Sequence, residues 1–457
     1  MNQRTNRRKF LKTTTAVGAG YWVAGGVAPK QSIAANEQIA FAAVGVGGKG
    51  TSDSNDASRN GDMVAICDID ETTLGNAAKR FPKAKKFFDY RKMLDEMAKS
   101  IDAVTVSTPD HSHAPASLRA MRQGMHCFTQ KPLTHTIYEA RLMGEVAREK
   151  GLATMMGNQG TANSGLRHAA TLVQNGEIGE VKEAHVWTNR PVWPSGLKRP
   201  TDTPPIPSSV HWNEFLGPAR ERPYHPSYHP FKWRGWWDFG TGALGDMACH
   251  TLNMPFAALE LRDPISVVAE SPGHNGETYA GWSIITFEYA ATENRGPITL
   301  KWYDGLKLPP EELRSGATLR PGEGSSDTGA LLVGSKATLY SPGDYAAEFE
   351  IIGVEEPPEA EYEESPGHFN EWVRAIKGGA PAMSNFPDYA GPLSETILLG
   401  NLAVWAARGE DATGESDGDV VVGKKIEWDA KNLVATNAPE VMPIVNKEYR
   451  DGYGIEG

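Results

Sequence analysis

The sequence predicts an α/β fold in two parts, with a doubly wound parallel sheet first and an α+β domain after it. From residue 38 to residue 156, short apolar runs rich in β-branched residues alternate with amphipathic helical stretches, which is typical of parallel strands joined by crossover helices. A glycine-rich turn at residues 45–50 joins the first of these strands to the first helix. After Asn158 the apolar residues alternate only in part, which favours a mixed or antiparallel sheet.

Five strands and five helices are expected in the first part. The strands are predicted at about 39–44, 63–67, 102–106, 125–128 and 152–156. The helices are predicted near 50–58, 71–80, 90–98, 112–122 and 134–148. Because crossover connections are right-handed, the ligand crevice of such a sheet lies at the carboxyl ends of its strands.

The second part is predicted to begin with a helix over about 165–176. We expect strands and long loops after it; the strands are at 181–187, 265–269 and 283–289, and the loops at 191–207 and 306–329. A chain of 457 residues is too long for one simple core. We therefore assign residues 36–157 to the first domain and residues 158–457 to the second.

The first 35 residues predict an export signal. Twin arginines, Arg7 and Arg8, precede an apolar stretch over about residues 13–27 and small residues that end at Ala35. The twin-arginine route carries folded proteins, so we expect a periplasmic or otherwise exported protein that leaves the cytoplasm with its cofactor bound. The apolar stretch is shorter than the roughly 20 residues of a membrane span, so no membrane association is expected after signal removal.

Charge and cysteine content narrow the classes of partner. The formal net charge is −11 and no basic stripe is present, which disfavours nucleic acid and favours a small, neutral ligand. Only three cysteines occur, Cys67, Cys127 and Cys249, and they lie far apart. An exported protein held by disulfides would carry more cysteines, in even number, so we expect reduced, buried thiols.

The glycine-rich turn has the spacing of a dinucleotide-binding fingerprint. Gly45, Gly47 and Gly50 follow an apolar strand and open a helix, so the backbone can approach a pyrophosphate at the helix N-terminus. Asp68 ends the second strand, where a carboxylate accepts hydrogen bonds from ribose hydroxyls and repels a 2′-phosphate. We therefore predict a Rossmann domain that binds NAD rather than NADP. The predicted contacts are Gly45, Val46, Gly47, Gly48, Lys49, Gly50 and Asp68.

Two further strand ends are expected to border the crevice, because the fourth and fifth strands both end in polar, proline-containing segments. The residues placed beside the cofactor here are Thr108, Pro109, His111, His113, Gln130 and Lys131. Lys131 is expected to point to the nicotinamide end. His111 and His113 also have a metal-ligand spacing, but no third ligand accompanies them, so no metal is predicted.

Several motifs together resemble the Gfo/Idh/MocA family of oxidoreductases, especially its exported members. They are the glycine turn, Thr108-Pro109-Asp110-His111, Gln130-Lys131-Pro132, and the segment 242–250 that ends in Cys249-His250. The resemblance implies a second domain with a large open sheet and NAD(P)-dependent hydride transfer on a sugar, sugar derivative or cyclitol. It also implies a homodimer or homotetramer formed through that sheet. Two positions depart from the family pattern, since Gln130 replaces a glutamate and Asn253 replaces an acidic residue.

The candidate catalytic residues are Lys131, Asp246 and His250. Asp246 and His250 lie four residues apart after a glycine-rich turn, so on a helix they face the same side. His250 is expected to take the hydroxyl proton, since alcohol oxidation needs a base with a pKa near neutral. Asp246 is expected to contact a neighbouring hydroxyl or orient the imidazole, and Lys131 to stabilise the reacting oxygen.

A tryptophan-rich segment supplies candidate substrate contacts. Six of the twelve tryptophans lie between residues 185 and 240, and flat apolar rings suit stacking on sugar C–H faces, so we expect one or two of the six in the site. The predicted substrate contacts besides the catalytic residues are Arg190, Trp193, Trp236, Trp237 and Asn253. The loop over 224–230, with His225, Tyr228 and His229, is a further candidate.

Three functions remain open on the sequence alone. The first is an exported NAD(P)-dependent oxidoreductase acting on a carbohydrate hydroxyl. The second is a redox-neutral glycoside-cleaving enzyme that oxidises, eliminates and re-reduces with a tightly bound NAD. The third is a non-catalytic sugar-binding protein, against which the presence of Lys131, Asp246 and His250 argues.

Overall fold

The structure is a computed structural model that describes residues 38–319, 327–356, 358–408, 414–415 and 417–456. The predicted export signal, residues 1–35, lies outside the described residues. No described helix has the length and apolar character that a membrane crossing requires.

The first sheet has six parallel strands in the order β3-β2-β1-β4-β5-β6, which is a doubly wound arrangement. The strands are β1 Ile39–Val44, β2 Gly61–Cys67, β3 Lys85–Phe87, β4 Ala103–Val106, β5 His126–Thr129 and β6 Thr154–Met156. The predicted fold class is confirmed for this part. The prediction missed β3, which is three residues long and has two exposed lysines, so it carries no apolar alternation.

Five helices cover the two faces of this sheet. They are α1 Lys49–Asn60, α2 Glu71–Arg80, α3 Tyr90–Met97, α4 His113–Arg122 and α5 Ile137–Glu149. Side chains cap several of them: Asp70 accepts hydrogen bonds from two backbone N–H groups of α2, and Thr136 and Glu139 form a capping box at α5. In contrast, α1 begins after Gly48 with no side-chain cap, which leaves its first N–H groups open to a ligand.

The second sheet is mixed. Its strands are β7 Val181–Trp187, β8 Ser266–Ser271, β9 Ile284–Tyr289, β10 Ile298–Tyr303, β11 Gly329–Gly334, β12 Thr338–Pro342, β13 Glu350–Ile351, β14 Val421–Val422, β15 Ile426–Asp429 and β16 Val434–Ala435. The order is β13-β12-β11-β7-β10-β9-β8-β15-β16, with β14 paired to β8, and only β7 and β10 are parallel among the described pairs. The predicted mixed sheet is confirmed, whereas the oligomeric state expected from it stays a prediction.

Eight further helices follow residue 157 among the described residues. They are α6 Ser164–Gln174, α7 Trp212–Leu216, α8 Gly242–Thr251, α9 Asn253–Leu259, α10 Glu311–Arg314, α11 His368–Ile376, α12 Gly391–Ala406 and α13 Met442–Val445. The longest is α12, which packs against β8 and against α8. Residues 191–207 contain no helix or strand, as predicted, whereas the second predicted loop contains α10.

Segments from beyond residue 157 also bury the first sheet. Trp372 of α11 packs on Phe41 of β1 with ring centroids 5.8 Å apart, and its indole N–H donates to the Ala153 carbonyl at 3.0 Å. Near the other end of the chain, the Lys447 ammonium lies 3.2 Å from the buried Glu139 carboxylate of α5. The two parts are therefore tied together by side chains that come from late in the sequence.

The three cysteines are unpaired and buried, as predicted for reduced thiols. Burial raises the pKa of the Cys127 thiol to about 11 and that of the Cys249 thiol to about 12. Both thiols are therefore protonated near neutral pH and behave as small core side chains.

Candidate active site

A cleft of about 740 Å³ opens at the carboxyl ends of the first sheet, and α8 and loops of the second part form its opposite wall. Its position is the one that a doubly wound sheet gives to its ligand. The predicted residues that line it are Gly45, Gly47, Gly48, Lys49, Asp68, Thr108, Pro109, Gln130, Lys131, Arg190, Trp193, Asp246 and His250.

The glycine turn fits a pyrophosphate. Gly45 has φ +80°, and its N–H donates to the Cys67 carbonyl at 2.8 Å. A Cβ on Gly47 would lie 2.7 Å from Thr73 Cγ2, so a side chain there would crowd the turn. Gly50 is not in the cleft: its role is close packing, because a Cβ on it would collide with the Gly45 carbonyl. The uncapped N-terminus of α1 follows this turn, so backbone N–H groups can face an anion.

Asp68 connects the turn to the end of β2. One carboxylate oxygen accepts the Val46 N–H and the other accepts the Asp70 N–H, both at 3.0 Å. Burial raises the pKa of Asp68, and these backbone hydrogen bonds act in the opposite direction. Val46 is itself buried and does not line the cleft; it contributes the N–H that holds Asp68. The Asp68 side chain lines the cleft, where a ribose would bind.

Asp53 in α1 is a buried acceptor that the sequence interpretation missed. It accepts hydrogen bonds from Lys49 Nζ, Ser107 Oγ and Gln130 Nε2, each at 2.8 Å. The hydrogen bond from Gln130 to Asp53 explains why an amide and not a carboxylate stands at position 130. A glutamate there would bring a second carboxylate against Asp53. Asp53 lies four residues after Lys49, a helical pairing distance, but its partner Gln130 is far away in the sequence.

The three candidate catalytic residues meet at one end of the cleft. Lys131 Nζ donates to Asp246 Oδ1 at 3.0 Å and to the Asp246 main-chain oxygen at 2.5 Å. His250 lies one turn further along α8, and its ring packs nearly perpendicular to the Tyr345 ring at a centroid distance of 4.7 Å. The His250 Nδ1 atom is buried and has no hydrogen-bond partner within the described part of the chain.

Charge and burial set the protonation of this group. Burial alone would raise the pKa of Asp246, but the Lys131 ammonium and the Arg234 guanidinium outweigh it and hold that pKa below its ordinary value. Burial lowers the pKa of His250 well below its ordinary value, and the Lys131 ammonium lowers it further. At neutral pH the site therefore holds an ionised Asp246 and a neutral His250, which is the form of imidazole that accepts a proton.

His111 and His113 do not reach the cleft. The chain forms a 3-10 turn over Asp110–Ser112, and both imidazoles lie in the interior. His111 Nε2 lies 2.9 Å from the Phe215 carbonyl, and the two ring nitrogens of His113 lie 2.7 and 2.8 Å from the Thr108 and Pro132 carbonyls. These residues brace the loops around the crevice and do not line the cleft. Among the described residues, no group of three or more His, Cys, Asp or Glu is placed to hold a metal ion.

Three predicted substrate residues are also core residues. The indole of Trp236 donates to the Ser227 carbonyl at 2.8 Å, and Trp237 stacks on Tyr279 with centroids 3.7 Å apart. Asn253 is fully buried and donates to Thr161 Oγ1 at 3.0 Å. Each of these side chains is buried and makes these contacts away from the cleft, so the structure does not bring them into the predicted substrate site.

Several cleft residues were not predicted. They are Asp110, Phe231, Trp233, Arg234, Asp344, Tyr345 and Tyr453, among others. His229, from the candidate loop over 224–230, also lines the cleft. Of the six clustered tryptophans, Trp193 and Trp233 line the cleft, which agrees with the expected one or two. Trp233 and Arg234 lie close in sequence to the predicted substrate contacts Trp236 and Trp237. Tyr345 and Tyr453 come from distant parts of the chain that carry no local signal.

The fold and the cleft define a dinucleotide-binding oxidoreductase class, and comparison with known families agrees. The family model described as "Oxidoreductase family, NAD-binding Rossmann fold" matches residues 39–158. Its companion, "Oxidoreductase family, C-terminal alpha/beta domain", matches residues 180–295, and together they cover just over half of the chain. The chain belongs to the Gfo/Idh/MocA family, as its motifs predicted.

Relatives of this chain include carbohydrate enzymes. A levoglucosan dehydrogenase of Pseudarthrobacter phenanthrenivorans is 24% identical over 190 residues, which are 41% of this chain and 40% of that protein. An α-N-acetylgalactosaminidase of Shewanella oneidensis is 28% identical over 205 residues, covering 38% of this chain and 44% of that protein. The chain thus spans less than half the length of these relatives.

Solved structures share the whole fold. The WlbA dehydrogenase of Chromobacterium violaceum, in complex with NADH and UDP-GlcNAcA, matches with a TM-score of 0.58 and 18% identity, covering 88% of this chain and 99% of that one. A levoglucosan dehydrogenase in complex with NADH and L-sorbose matches with a TM-score of 0.54 and 14% identity, covering 84% and 99%. At these identities the likeness concerns the fold.

The close packing at Gly50 yields a test of the nucleotide site. In Gly50→Ala the new methyl group would push α1 away from the Gly45 carbonyl, so we expect NAD affinity to fall at least about tenfold. Gly75→Ala is the matched control, because Gly75 also lies in a helix and a Cβ there meets nothing within 4 Å. Calorimetric titration with NAD after removal of bound nucleotide measures both. Equal affinities in the two variants would contradict this assignment.

Proposed function

We propose that the protein is an NAD-dependent oxidoreductase that acts on a hydroxyl group of a sugar or sugar derivative. The observation that carries the proposal is the meeting of Lys131, Asp246 and His250 in the cleft that the glycine turn borders. Membership of the Gfo/Idh/MocA family and similarity to carbohydrate dehydrogenases support the same conclusion.

The residues of the cleft fit NAD. The glycine turn and the start of α1 would hold the pyrophosphate, and Asp68 would accept hydrogen bonds from the adenosine ribose. The carboxylate of Asp68 disfavours a 2′-phosphate, which is why we propose NAD rather than NADP. When bound, NAD supplies a nicotinamide ring that can accept a hydride from the substrate carbon or return one.

The residues of the chain handle the proton and the charge. Neutral His250 would accept the hydroxyl proton as the alcohol is oxidised. The Lys131 ammonium would donate a hydrogen bond to the same oxygen and stabilise the negative charge that develops on it. Lys131 Nζ donates two hydrogen bonds to Asp246, one to the carboxylate and one to the main-chain oxygen. These bonds orient the ammonium before substrate binds.

The lowered pKa of His250 predicts an unusual pH profile. The neutral imidazole is the active form, and activity falls only as the pH drops through the pKa of His250. We therefore expect kcat/KM for sugar oxidation to stay flat down to pH values below about 6.5, the ordinary histidine pKa. Lys131→Met removes a positive charge that lowers the pKa of His250. As the pH is lowered, the residual activity of this variant should therefore begin to fall at a higher pH than the activity of the wild type does.

His250→Ala should lower kcat by about 100-fold to 10,000-fold, the usual contribution of a general base. Lys301→Met is the matched control for Lys131→Met, because Lys301 lies on β10 and does not line the cleft. Steady-state kinetics across the pH range measure all of these variants. Full turnover in His250→Ala, or an acid limb above the ordinary histidine pKa in the wild type, would overturn the base assignment.

A second candidate function is redox-neutral cleavage of a glycoside with a cofactor that stays bound. The similarity to an α-N-acetylgalactosaminidase favours it, and so does a strap formed by residues 207–217. The strap pairs with the segment after β2 through a bridge between Val210 and Asp70, and the His211 ring stacks on Phe88 at 3.8 Å. Phe88 lines the Asp68 end of the cleft, so the strap braces the wall around that end.

We expect the purified wild-type protein to retain close to one NAD or NADH per chain. The measurement is mass spectrometry of nucleotide released on denaturation, after purification with no nucleotide added. His211→Ala should lose most of it, because the stack on Phe88 is removed. His168→Ala should retain it, since His168 also stacks on an aromatic ring, Tyr362, but outside the cleft. A wild-type protein that releases no nucleotide would contradict the proposal that the cofactor stays bound.

The two candidate functions are separated by one assay on the holoprotein. Nitrophenyl glycosides release nitrophenol when cleaved, and reduced nicotinamide is detected by its absorbance. Nitrophenol release without accumulation of reduced nicotinamide would favour the redox-neutral cycle. Reduced nicotinamide that forms with a free sugar, in proportion to the sugar consumed, would favour the dehydrogenase.

We further propose that the protein is exported by the twin-arginine route. The support is Arg7-Arg8 and the apolar stretch that follows. In cell fractionation, the tagged full chain should appear in the periplasm, and the variant with Arg7→Lys and Arg8→Lys should remain in the cytoplasm. Identical distribution of the two chains would refute this route.

A further inference from the structure

We propose that the substrate is an acidic sugar whose carboxylate binds to Arg190 and Arg234 beside the reacting centre. This inference rests on the proposed function, since it names the substrate class of the same site. Both arginines line the cleft, and both approach the carboxylate that already pairs with Lys131.

The two guanidinium groups are incompletely paired. Arg234 Nε lies 3.5 Å from Asp246 Oδ1 and Arg190 Nε lies 3.9 Å from Asp246 Oδ2, whereas Lys131 Nζ is closer, at 3.0 Å. The side-chain hydrogen bonds of Arg234 and Arg190 go to the Phe231 carbonyl and the Asn189 amide oxygen, respectively, both through Nη1. Across the described ranges, Nη2 of neither arginine makes a hydrogen bond, and the two side chains are 28% and 25% exposed.

Other arginines of the same region show the difference. Arg222 is buried and pairs with two carboxylates, Asp238 and Glu277, and Arg199 also pairs with Glu277. Those arginines have a structural acid as partner. Arg190 and Arg234 share with Lys131 a single nearby ion-pair partner, Asp246. The remaining N–H donors therefore suit an acceptor that comes with the ligand.

Arg234 is held ready for a planar anion. Its guanidinium lies over the Trp233 ring at 4.2 Å from the centroid and close to the Phe231 ring at 4.8 Å. Nη2 of Arg234, which makes no hydrogen bond among the described residues, could donate to one oxygen of a carboxylate, and Nε is placed next to it on the guanidinium. The stacking fixes the side chain before binding, so less conformational entropy is lost when the anion arrives.

The carboxylates around the site have hydrogen-bond partners besides the two arginines. Lys131, Arg190 and Arg234 face Asp246 and the buried Asp110, whose carboxylate accepts the Thr241 hydroxyl at 2.6 Å. Asp344, on the opposite wall, accepts the Thr328 hydroxyl at 2.6 Å. Two of these three carboxylates are thus hydrogen-bonded to threonines, and the third pairs with Lys131. A sugar carboxylate would complete the pairing of the two arginines.

Binding of matched sugars to the NAD-loaded protein tests the inference. Calorimetry would compare D-glucuronate with D-glucose and D-galacturonate with D-galactose, with D-glucose 6-phosphate as the alternative anion. We expect at least one uronate to bind tenfold or more tightly than its neutral parent. Arg234→Gln and Arg190→Gln should each weaken uronate binding at least fivefold more than they weaken binding of the neutral sugar. Arg199→Gln is the control and should change neither.

The outcomes separate this inference from the proposed function. Neutral sugars that bind and are oxidised as well as the uronates would overturn the acidic-substrate inference and leave the oxidoreductase intact. Tighter binding of glucose 6-phosphate than of either uronate would overturn it in favour of a phosphorylated sugar. Failure of every sugar to bind or be oxidised, while NAD still binds, would overturn both. Melting temperatures of the arginine variants show whether each is folded.

Discussion

The site depends on one ion pair, which Lys131 forms with Asp246 where the two parts of the chain face each other. Lys131 lies two residues after the end of a buried strand of the first sheet, and Asp246 lies on α8 of the second part. Both side chains are mostly buried, so each charge needs the other. The pair holds one ammonium where the carboxyl ends of the first sheet meet the wall that carries His250.

This ion pair also determines what the neighbouring groups can do. Its ammonium lowers the pKa of His250 and, with Arg234, keeps Asp246 ionised despite burial. Gln130, next to Lys131, is tied to Asp53 of α1, so the loss of the family's usual glutamate leaves a hydrogen-bonded side chain and not a gap. Under the proposed function, this arrangement of polar groups would serve proton removal and the stabilisation of negative charge.

Much of the first sheet could be predicted because its signals are local. Apolar periodicity and glycine spacing identified every strand of the first sheet except β3. They also identified all five of its helices, with small shifts at the helix ends. Lys131, Asp246 and His250 were predicted by position at a strand end and by helical spacing, with the help of the family resemblance. What these residues share is a signal contained within a few positions of the chain.

The errors concern side chains whose direction depends on distant packing. Trp236 and Trp237 lie three or four residues from Trp233, yet only Trp233 lines the cleft, because Tyr279 and the Ser227 carbonyl draw the other two into the core. His111 was placed in the cleft because its motif overhangs the sheet, but carbonyls from α7 and a later loop bind its ring. A sequence pattern within one segment does not indicate packing or hydrogen-bond partners that lie far away in the sequence.

A crystal structure of the protein with NAD bound is the most direct test of this account. It should show the pyrophosphate at the start of α1 and the nicotinamide ring beside Lys131 and His250, with the Lys131–Asp246 ion pair intact. A dinucleotide bound outside this cleft would contradict the account. So would a nicotinamide ring that lies away from Lys131 and His250, with the Lys131 side chain turned to solvent.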